Sequence, residues 1–458
     1  MPDSLVVEEV STGQVRVSLQ RDGQKSPDAG DAVVFATPFD AAVREDLRWY
    51  LEDYLIAPFA VYEERGQQMR SRLRDWGETL FDSIFGPGKP GRDAYLQARE
   101  GSPELALISR SASFLALPWE LVKDPARETP LALTMPAFDR TLHIAGASTP
   151  VPPGEVLRVL MVIARPAGGR DVGYQMVARP LLERLGAVRG KVALDVLRPP
   201  TLPALGATLR AAADAGTPYH ILHFDGHGTF GVHAPAAGHS QHQLDAGTAE
   251  RGFLVFEKPG GGQDLVSADT FALTVSQGQV PLVVLNACRS GMLGETAVEA
   301  AVATQLLEGG AASVVAMGYS VYAVAAAEFM MAFYEAVFSG KAVSGAVAAG
   351  RHRLFQNKLR PSPKGLLELE DWMVPVHYLR RLIRFPQLQQ SRPAGCCRSM
   401  RCWMRPARTA AGRRLKTYWR RTAASSVGMR RSMSWSRHSR ASRSWWCTAP
   451  RGPAKRNW

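Results

Sequence analysis

A cysteine and a histidine are the residues of this chain that are best suited to covalent chemistry. Cys288 lies in the stretch PLVVLNACRSG, and His227 lies 61 residues earlier in the stretch YHILHFDGHG. A thiolate is a strong nucleophile, and a nearby imidazole is the usual group that generates it near neutral pH. The sequence therefore predicts a Cys–His dyad in which Cys288 attacks a carbonyl carbon and His227 accepts the thiol proton.

The backbone beside the dyad offers hydrogen-bond donors for the negative oxygen that forms during acyl transfer. Gly228 has no side chain to block its N–H, and Cys288 presents its own N–H at the end of a strand. We expect these two amides to form an oxyanion hole. Asp225 could orient His227, line a pocket or only form a turn. Asn286 is a further candidate for an orienting or pocket residue.

Two short apolar stretches must place the dyad. Residues 219–224 and 281–285 have the composition of buried parallel strands. From Val156 onward the pattern alternates between strands and helices, which predicts an α/β fold with a mostly parallel sheet. Because open α/β sheets bind ligands at the carboxyl ends of their strands, we expect His227 and Cys288 to lie side by side at two neighbouring strand ends.

Each residue of the dyad also has an ordinary structural explanation. A free cysteine often packs as a small hydrophobic residue, and His227 could be a simple loop residue. The glycines that flank both residues, together with the two apolar stretches that precede them, favour the dyad over these explanations.

A metal site is the alternative that the other histidines raise. His227, His233, His239 and His242 cluster near Asp245 in sequence, but their spacing matches no metal-ligand pattern. The chain also has no in-frame P-loop and no dinucleotide-binding fingerprint. We therefore predict no metal and no cofactor.

Basic charge is concentrated at the end of the chain. The 458 residues carry a formal net charge of +13, but residues 391–458 contain 16 Arg, 2 Lys and no acidic residue. The first 390 residues therefore carry a net charge of −5. A basic surface for nucleic acid would have to lie in the tail, so we expect no nucleic-acid partner for the folded part.

Cysteine usage and hydropathy predict a cytoplasmic protein. Cys288 is the only cysteine before residue 391, so the folded part has no disulfide framework. The N-terminal stretch MPDSLVVEEV has neither a basic nor a long apolar segment, and we expect no signal peptide. The most apolar window, residues 311–338, carries Glu328 and Glu335. We interpret it as a buried strand followed by a helix and not as a membrane span.

The proline-rich stretch STPVPP, residues 148–153, is the best internal boundary. It divides the chain into an N-terminal α+β part, residues 1–150, and a core that contains the dyad, residues 151–385. Residues 386–458 form a basic tail that we expect to be disordered or aberrant.

Four stretches of the chain resemble one family. HFDGHG, VVLNACRSG, LALPWEL and DWMVPVHY are similar to the motifs of the CHAT domain, a caspase-like branch of the clan CD cysteine peptidases. The resemblance spans nearly all of residues 30–385. It implies an α/β/α sandwich with the histidine and the cysteine at the ends of adjacent strands. It also implies a bacterial peptidase that hydrolyses peptide bonds through a thioester, without a metal, and that is fused to a regulatory or NTPase module.

The resemblance sets the expected partners and leaves the substrate open. The partners would be a protein or peptide substrate, and a regulatory NTPase module or a self-assembly partner. The alternative is a catalytically silent CHAT signalling scaffold that binds partner proteins. Peptidases of this clan that prefer basic residues often carry an acidic residue two positions before the cysteine. Asn286 stands there in this chain, and we therefore assign no substrate preference.

The composition of the tail suggests that its gene is read in a shifted frame. Residues 391–458 hold six of the ten Trp, a mixture that no folding pattern favours. A shift of two nucleotides over residues 444–458, with permitted codons, can give LVVHGPAGTGKTEL, which is a strand followed by a GxxxxGKT phosphate-binding loop. A basic disordered arm for nucleic acid is the alternative. Resequencing around codons 380–400 tests the hypothesis, and an open in-frame gene without an indel would contradict it.

Overall fold

Short runs of Val, Ile and Leu, which suit strands that are buried on both faces, form the centre of this fold. The computed structural model describes residues 3–21, 24–25, 30–56, 60–168, 190–231, 251–289 and 298–389, and these contain sixteen strands and eleven α-helices. The strands are β1 (Ser4–Ser11), β2 (Gln14–Arg21), β3 (Gln24–Lys25), β4 (Val33–Val34), β5 (Glu104–Ser109), β6 (Phe138–Leu142), β7 (Leu157–Ile163), β8 (Val192–Val196), β9 (Ile221–Gly231), β10 (Arg251–Glu257), β11 (Gln263–Ser267), β12 (Leu282–Arg289), β13 (Ser313–Met317), β14 (Leu359–Ser362), β15 (Gly365–Glu368) and β16 (Pro375–Leu379).

The helices alternate with the strands in the second half of the chain. They are α1 (Ala41–Arg48), α2 (Ala60–Phe85), α3 (Gly91–Ala98), α4 (Ala112–Leu115), α5 (Leu131–Thr134), α6 (Leu202–Asp214), α7 (Ala268–Gln277), α8 (Val298–Glu308), α9 (Ala323–Phe338), α10 (Val343–Gln356) and α11 (Pro386–Gln389). A π-helical turn, Trp49–Asp53, follows α1, and Trp119–Leu121 and Asp371–Met373 form 3₁₀ turns.

Fourteen of the described strands form one sheet, and its central strands are parallel. The order is β11-β10-β9-β12-β13-β16-β6-β5-β1-β2-β3, with β7 also paired to β9 and β8 to β7. Strands β8, β7, β9, β12 and β13 run in one direction, which confirms the predicted mostly parallel central sheet. Strand β16 is antiparallel to β13, and the N-terminal strands β6, β5 and β1 continue the same sheet beyond it.

Helices cover both faces of this sheet, as contacts of two consecutive residues of β9 show. The Nδ1 atom of His223 lies 2.8 Å from the hydroxyl of Tyr334 on α9. The ring of Phe224 packs against Phe271 on α7, with 6.1 Å between the ring centroids. Because consecutive residues of a strand point to opposite faces, α9 and α7 lie on opposite faces. The predicted α/β/α sandwich is therefore confirmed.

A buried carboxylate connects the LALPWEL stretch to the sheet. Glu120, which is 1% exposed, accepts hydrogen bonds from Arg140 on β6 and from Arg351 on α10, the latter at 2.8 Å. The ring of Trp119 is fully buried and stacks on Phe35 at 5.2 Å. These contacts give this stretch a structural role, because they join β6, α10 and Phe35 around it.

Strands β9 and β12 are longer than the sequence predicts. Asp225, His227 and Cys288 lie inside these strands and not in turns that follow them. The reason is β10, which pairs antiparallel with the second half of β9 and keeps it extended. Most of the predicted tail, residues 390–458, lies outside the described residues.

The apolar window at residues 311–338 contains β13 followed by α9, as interpreted from the sequence. In the part of the chain that the structure describes, no helix is both long enough and apolar enough to cross a membrane.

Removal of the Glu120 carboxylate tests its role in joining these elements. The variant Glu120→Ala leaves two buried guanidinium groups without a counter-charge, and loss of one partner of a buried ion pair costs about 3–5 kcal/mol. We expect urea denaturation to show a loss of that size in the free energy of unfolding. Glu128→Ala, a change at an exposed position, is the control and should change the free energy by less than about 0.5 kcal/mol. Equal effects of the two variants would contradict this role.

Burial of His223 predicts a dependence of stability on pH. Desolvation lowers the pKa of His223 from 6.5 to about 4. The unfolded chain therefore binds this proton at a higher pH than the folded chain, and stability rises with pH between about 4 and about 6.5. We expect the wild type to lose about 3 kcal/mol through this residue when the pH falls from 7 to 4.

The variant His223→Gln separates this contribution from those of other groups. Its unfolding free energy, measured by urea denaturation at the same pH values, should fall less steeply between pH 7 and pH 4 than that of the wild type. Identical slopes for the two proteins would show that His223 does not contribute to the pH dependence.

Candidate active site

Parallel pairing of β9 and β12 brings His227 and Cys288 to the same level of the sheet. The register runs in parallel from Leu282 opposite Ile221 to Cys288 opposite His227. Cys288 is the penultimate residue of β12, so it lies at the carboxyl end of its strand as predicted. The backbone therefore places the two residues of the predicted dyad next to each other.

His227 lies at the point where the strand paired with one edge of β9 changes from β7 to β10. Residues 221–225 pair with β7, whereas residues 227–231 pair with β10. His227 is therefore the first paired residue beyond the end of β7, and its side chain is partly exposed. Open α/β sheets bind ligands in a crevice outside the carboxyl ends of their parallel strands, at the point where the order of the strands changes.

Asp225 is an ion-paired residue two positions before His227. Its carboxylate accepts a hydrogen bond from Arg165 Nη2 at 2.7 Å and one from Asn286 Nδ2 at 2.9 Å. Arg165 Nη1 also donates to the Asp225 carbonyl at 2.8 Å. Asp225 is only 3% exposed, so its charge needs this partner. The turn-former interpretation is wrong, because Asp225 lies within β9.

Asn286 stands opposite Asp225 and keeps one acceptor without a partner. The side chain is 5% exposed, and its Nδ2 is used by Asp225. Among the described residues, Asn286 Oδ1 is a buried atom with no hydrogen-bond partner. A buried polar atom of this kind is rare in native structures, and this oxygen can accept a hydrogen bond from a further group.

The predicted oxyanion donors, Gly228 and Cys288, lie on the two adjacent strands that carry the dyad. Gly228 is paired in register with Arg289 of β12 on one side and with Leu254 of β10 on the other. Gly228 and Cys288 thus occupy consecutive levels of adjacent strands. Their role as oxyanion donors stays a prediction.

Arg165 and Glu257 belong to this site although the sequence did not single them out. Arg165 follows β7 and links the ends of β7 and β9 through Asp225, and its backbone N–H donates to Glu257 Oε1 at 2.8 Å. The available signal was the position of Arg165 directly after a buried apolar strand, where parallel sheets place binding residues.

The remaining histidines do not extend the site. His220 and His223 are buried in the interior, where Gln387 Nε2 lies 3.0 Å from His220 Nε2 and Tyr334 bonds His223. The other residues of the metal-site alternative besides His227, which are His233, His239, His242 and Asp245, lie outside the described residues. Within the described ranges, no group of three or more His, Cys, Asp and Glu side chains could hold a metal ion.

Comparisons with known proteins were made for sequence and for structure. A search of curated proteins found no similar protein. Two crystal structures of the Saccharomyces cerevisiae separase–securin complex are similar in structure. One is 12% identical over 72% of this chain and 19% of the matched chain, with a TM-score of 0.35. The other is 11% identical over 74% of this chain and 20% of the matched chain, with a TM-score of 0.34.

The family is identified by a domain match and not by these structures, of which the chain spans about one fifth. The model of the CHAT domain matches residues 29–446, which include both strands of the site, the LALPWEL and DWMVPVHY stretches and part of the tail. The match covers most of the sequence, and the chain therefore belongs to the CHAT domain family.

Proposed function

We propose that this chain is a cysteine endopeptidase of the caspase-like type. The observation that carries the proposal is the register of β9 and β12, which sets Cys288 directly opposite His227 on adjacent parallel strands. A thiol nucleophile and an imidazole base on neighbouring strands are the two groups that peptide hydrolysis through a thioester requires. Membership of the CHAT family supports the same conclusion.

The first half of the proposed reaction forms a thioester. His227 accepts the Cys288 thiol proton, and the thiolate attacks the carbonyl carbon of the scissile peptide bond. The negative oxygen of the tetrahedral intermediate accepts hydrogen bonds from the N–H groups of Gly228 and Cys288. When the C–N bond breaks, the imidazolium of His227 gives its proton to the leaving amine.

The second half of the reaction releases the acyl group. His227 accepts a proton from a water molecule, which attacks the thioester carbonyl carbon. The C–S bond breaks, and His227 returns the proton to the Cys288 sulfur. The products are a carboxylic acid and the free thiol, so no oxidant and no metal take part.

The network around Asp225 would keep the dyad at a fixed spacing. Arg165 and Asn286 hold Asp225 from the ends of β7 and β12, two residues before the catalytic level. Small displacements of reacting groups are costly, and about 1 Å can lower a rate a hundredfold. We assign this network the role of holding the strand ends in the productive arrangement.

The setting of the enzyme belongs to the same proposal. The single cysteine in the first 390 residues supports a reducing compartment such as the bacterial cytoplasm. The phosphate-binding pattern in the alternative frame of the tail supports a fused P-loop NTPase module. Such a module, or a self-assembly partner, would regulate cleavage of a protein substrate.

Substitution of the dyad tests the proposed activity. Cys288→Ala should abolish cleavage of a peptide library, because no other group of the site can form the thioester. His227→Ala should lower kcat/KM by about 10²–10⁴-fold, the usual contribution of a general base. The control is His143→Ala, which changes an exposed histidine that directly follows β6 and should leave cleavage unchanged.

Labelling of the thiol decides between the enzyme and the silent scaffold. Iodoacetamide should alkylate Cys288 in the wild type, as detected by mass spectrometry of peptides. If the wild type shows neither cleavage nor alkylation of Cys288 under any activating condition, the proposed function is wrong and the scaffold alternative is favoured.

A further inference from the structure

The loop of residues 318–322 follows β13, which pairs with β12 on the side away from His227. Strands β12 and β13 pair in register from Leu282 opposite Ser313 to Val284 opposite Val315. Strand β13 ends at Met317, two residues after the last of these pairs, so the loop leaves the sheet near the carboxyl end of β12. The end of β12 that carries Cys288 therefore has β9 with His227 on one side, and on the other side β13, which leads into this loop.

The loop lacks a strand partner beyond Met317, and other groups bind its backbone. Gly318 N donates to the carbonyl of Val374 at 2.8 Å. Ser320 N donates to the carboxylate oxygen Oε1 of Glu52 at 2.9 Å. The hydroxyl of Tyr322 donates to the carbonyl of Glu52, also at 2.9 Å. One residue of the N-terminal part thus binds both the middle and the end of the loop.

Glu52 is itself held in a defined position. It lies in the π-helical turn Trp49–Asp53, which continues α1, and such turns occur frequently at functional sites. Its carboxylate is 3.7 Å from the guanidinium of Arg48, and its side chain is only 9% exposed. A hydrogen bond from an amide to an ionised carboxylate is stronger than one between neutral groups. The π-helical turn can therefore fix the loop, whose side chains are partly exposed.

We propose that Glu52 is a positioning residue that holds the 318–322 loop as the second wall of the substrate site. This inference rests on the proposed function of Cys288 and His227. The loop orients the peptide against the end of β12, and Glu52 acts through the loop and does not contact the substrate. The proposal makes the N-terminal part of the chain a component of the peptide site.

Two labelling reagents of different size test this role. Iodoacetamide needs only the thiolate of Cys288, whereas a pool of tripeptidyl acyloxymethyl ketones must also be oriented by the walls of the site. We expect Glu52→Ala to lower the labelling rate constant with the peptidyl reagents by about tenfold or more, since small misplacements of a bound group are costly. The rate constant with iodoacetamide should change by less than twofold.

Two further variants serve as controls. Glu52→Gln keeps an oxygen acceptor for Ser320 N and should restore peptidyl labelling to within about threefold of the wild type, because neutral hydrogen bonds are about half as strong as charged ones. Glu45→Ala removes another carboxylate that bonds Arg48 and should leave both rate constants unchanged. Hydrogen exchange at the Ser320 amide should accelerate in Glu52→Ala only.

The outcomes separate this inference from the proposed function. If Glu52→Ala slows both reagents equally or neither of them, or if exchange at Ser320 does not change, the positioning role is refuted. Failure of the wild type to cleave peptides, with Cys288 still labelled, refutes the proposed hydrolysis alone. The ratio of the peptidyl to the iodoacetamide rate constant, compared between Glu52→Ala and the wild type, then still decides whether the loop is a wall of the peptide site.

Discussion

The parallel pairing of β9 with β12 is the interaction on which the rest of the structure depends. It joins eight residue pairs and aligns His227 with Cys288 at its carboxyl end. A slip of one residue would move every side chain of a strand to the opposite face. Fully buried apolar residues earlier in both strands, such as Leu222 and Val283, oppose such a slip. The bond between Asp225 and Asn286 requires the same register. One pairing therefore forms both the centre of the core and the candidate site.

Buried charged residues connect the LALPWEL stretch to this core and join β14 to the DWMVPVHY stretch. Glu120 binds two arginines, and Arg360 binds Asp371 through two hydrogen bonds of 2.6 and 2.7 Å. Buried ion pairs add little net stability, but loss of one partner is costly. They therefore restrict which elements can pack together. Both groups lie in or beside the LALPWEL and DWMVPVHY stretches, which accounts for the polar residues of these otherwise apolar motifs.

A second buried network has the residue types of a hydrolase triad but is structural. Ser313 Oγ is 2.6 Å from His377 Nε2, and His377 Nδ1 is 2.6 Å from Asp139 Oδ1. Ser313 and His377 are each 1% exposed, within strands in the middle of the sheet. No substrate can reach this serine, so the network ties β13, β16 and β6 together. Residue types alone thus do not define an active site, and the partly exposed position of His227, just beyond the end of the neighbouring strand β7, is what distinguishes the dyad.

The two strands that carry the candidate site can be predicted from the sequence, because they depend on local patterns. Continuous apolar stretches identify buried strands, and polar residues after them identify the reactive edge. The extension of β9 through Asp225-Gly226-His227-Gly228 was not predicted, because aspartate and glycine locally favour turns and only pairing with β10 overrides this preference. The contacts of Arg165 with Asp225 and of Glu52 with Ser320 join residues that are 60 and 268 positions apart. No local pattern contains such contacts.

Disulfide formation between two positions of β9 and Cys288 measures the central register directly. Paired residues on adjacent strands, about 5 Å apart, are close enough for a disulfide bond, whereas a position two residues further along the neighbouring strand, about 8 Å away, is too distant. Under mild oxidation, His227→Cys should form a disulfide with Cys288, detected as a cross-linked peptide by mass spectrometry, and Thr229→Cys should not. A cross-link to position 229 in preference to position 227, or none to position 227, would contradict the register on which the site is built.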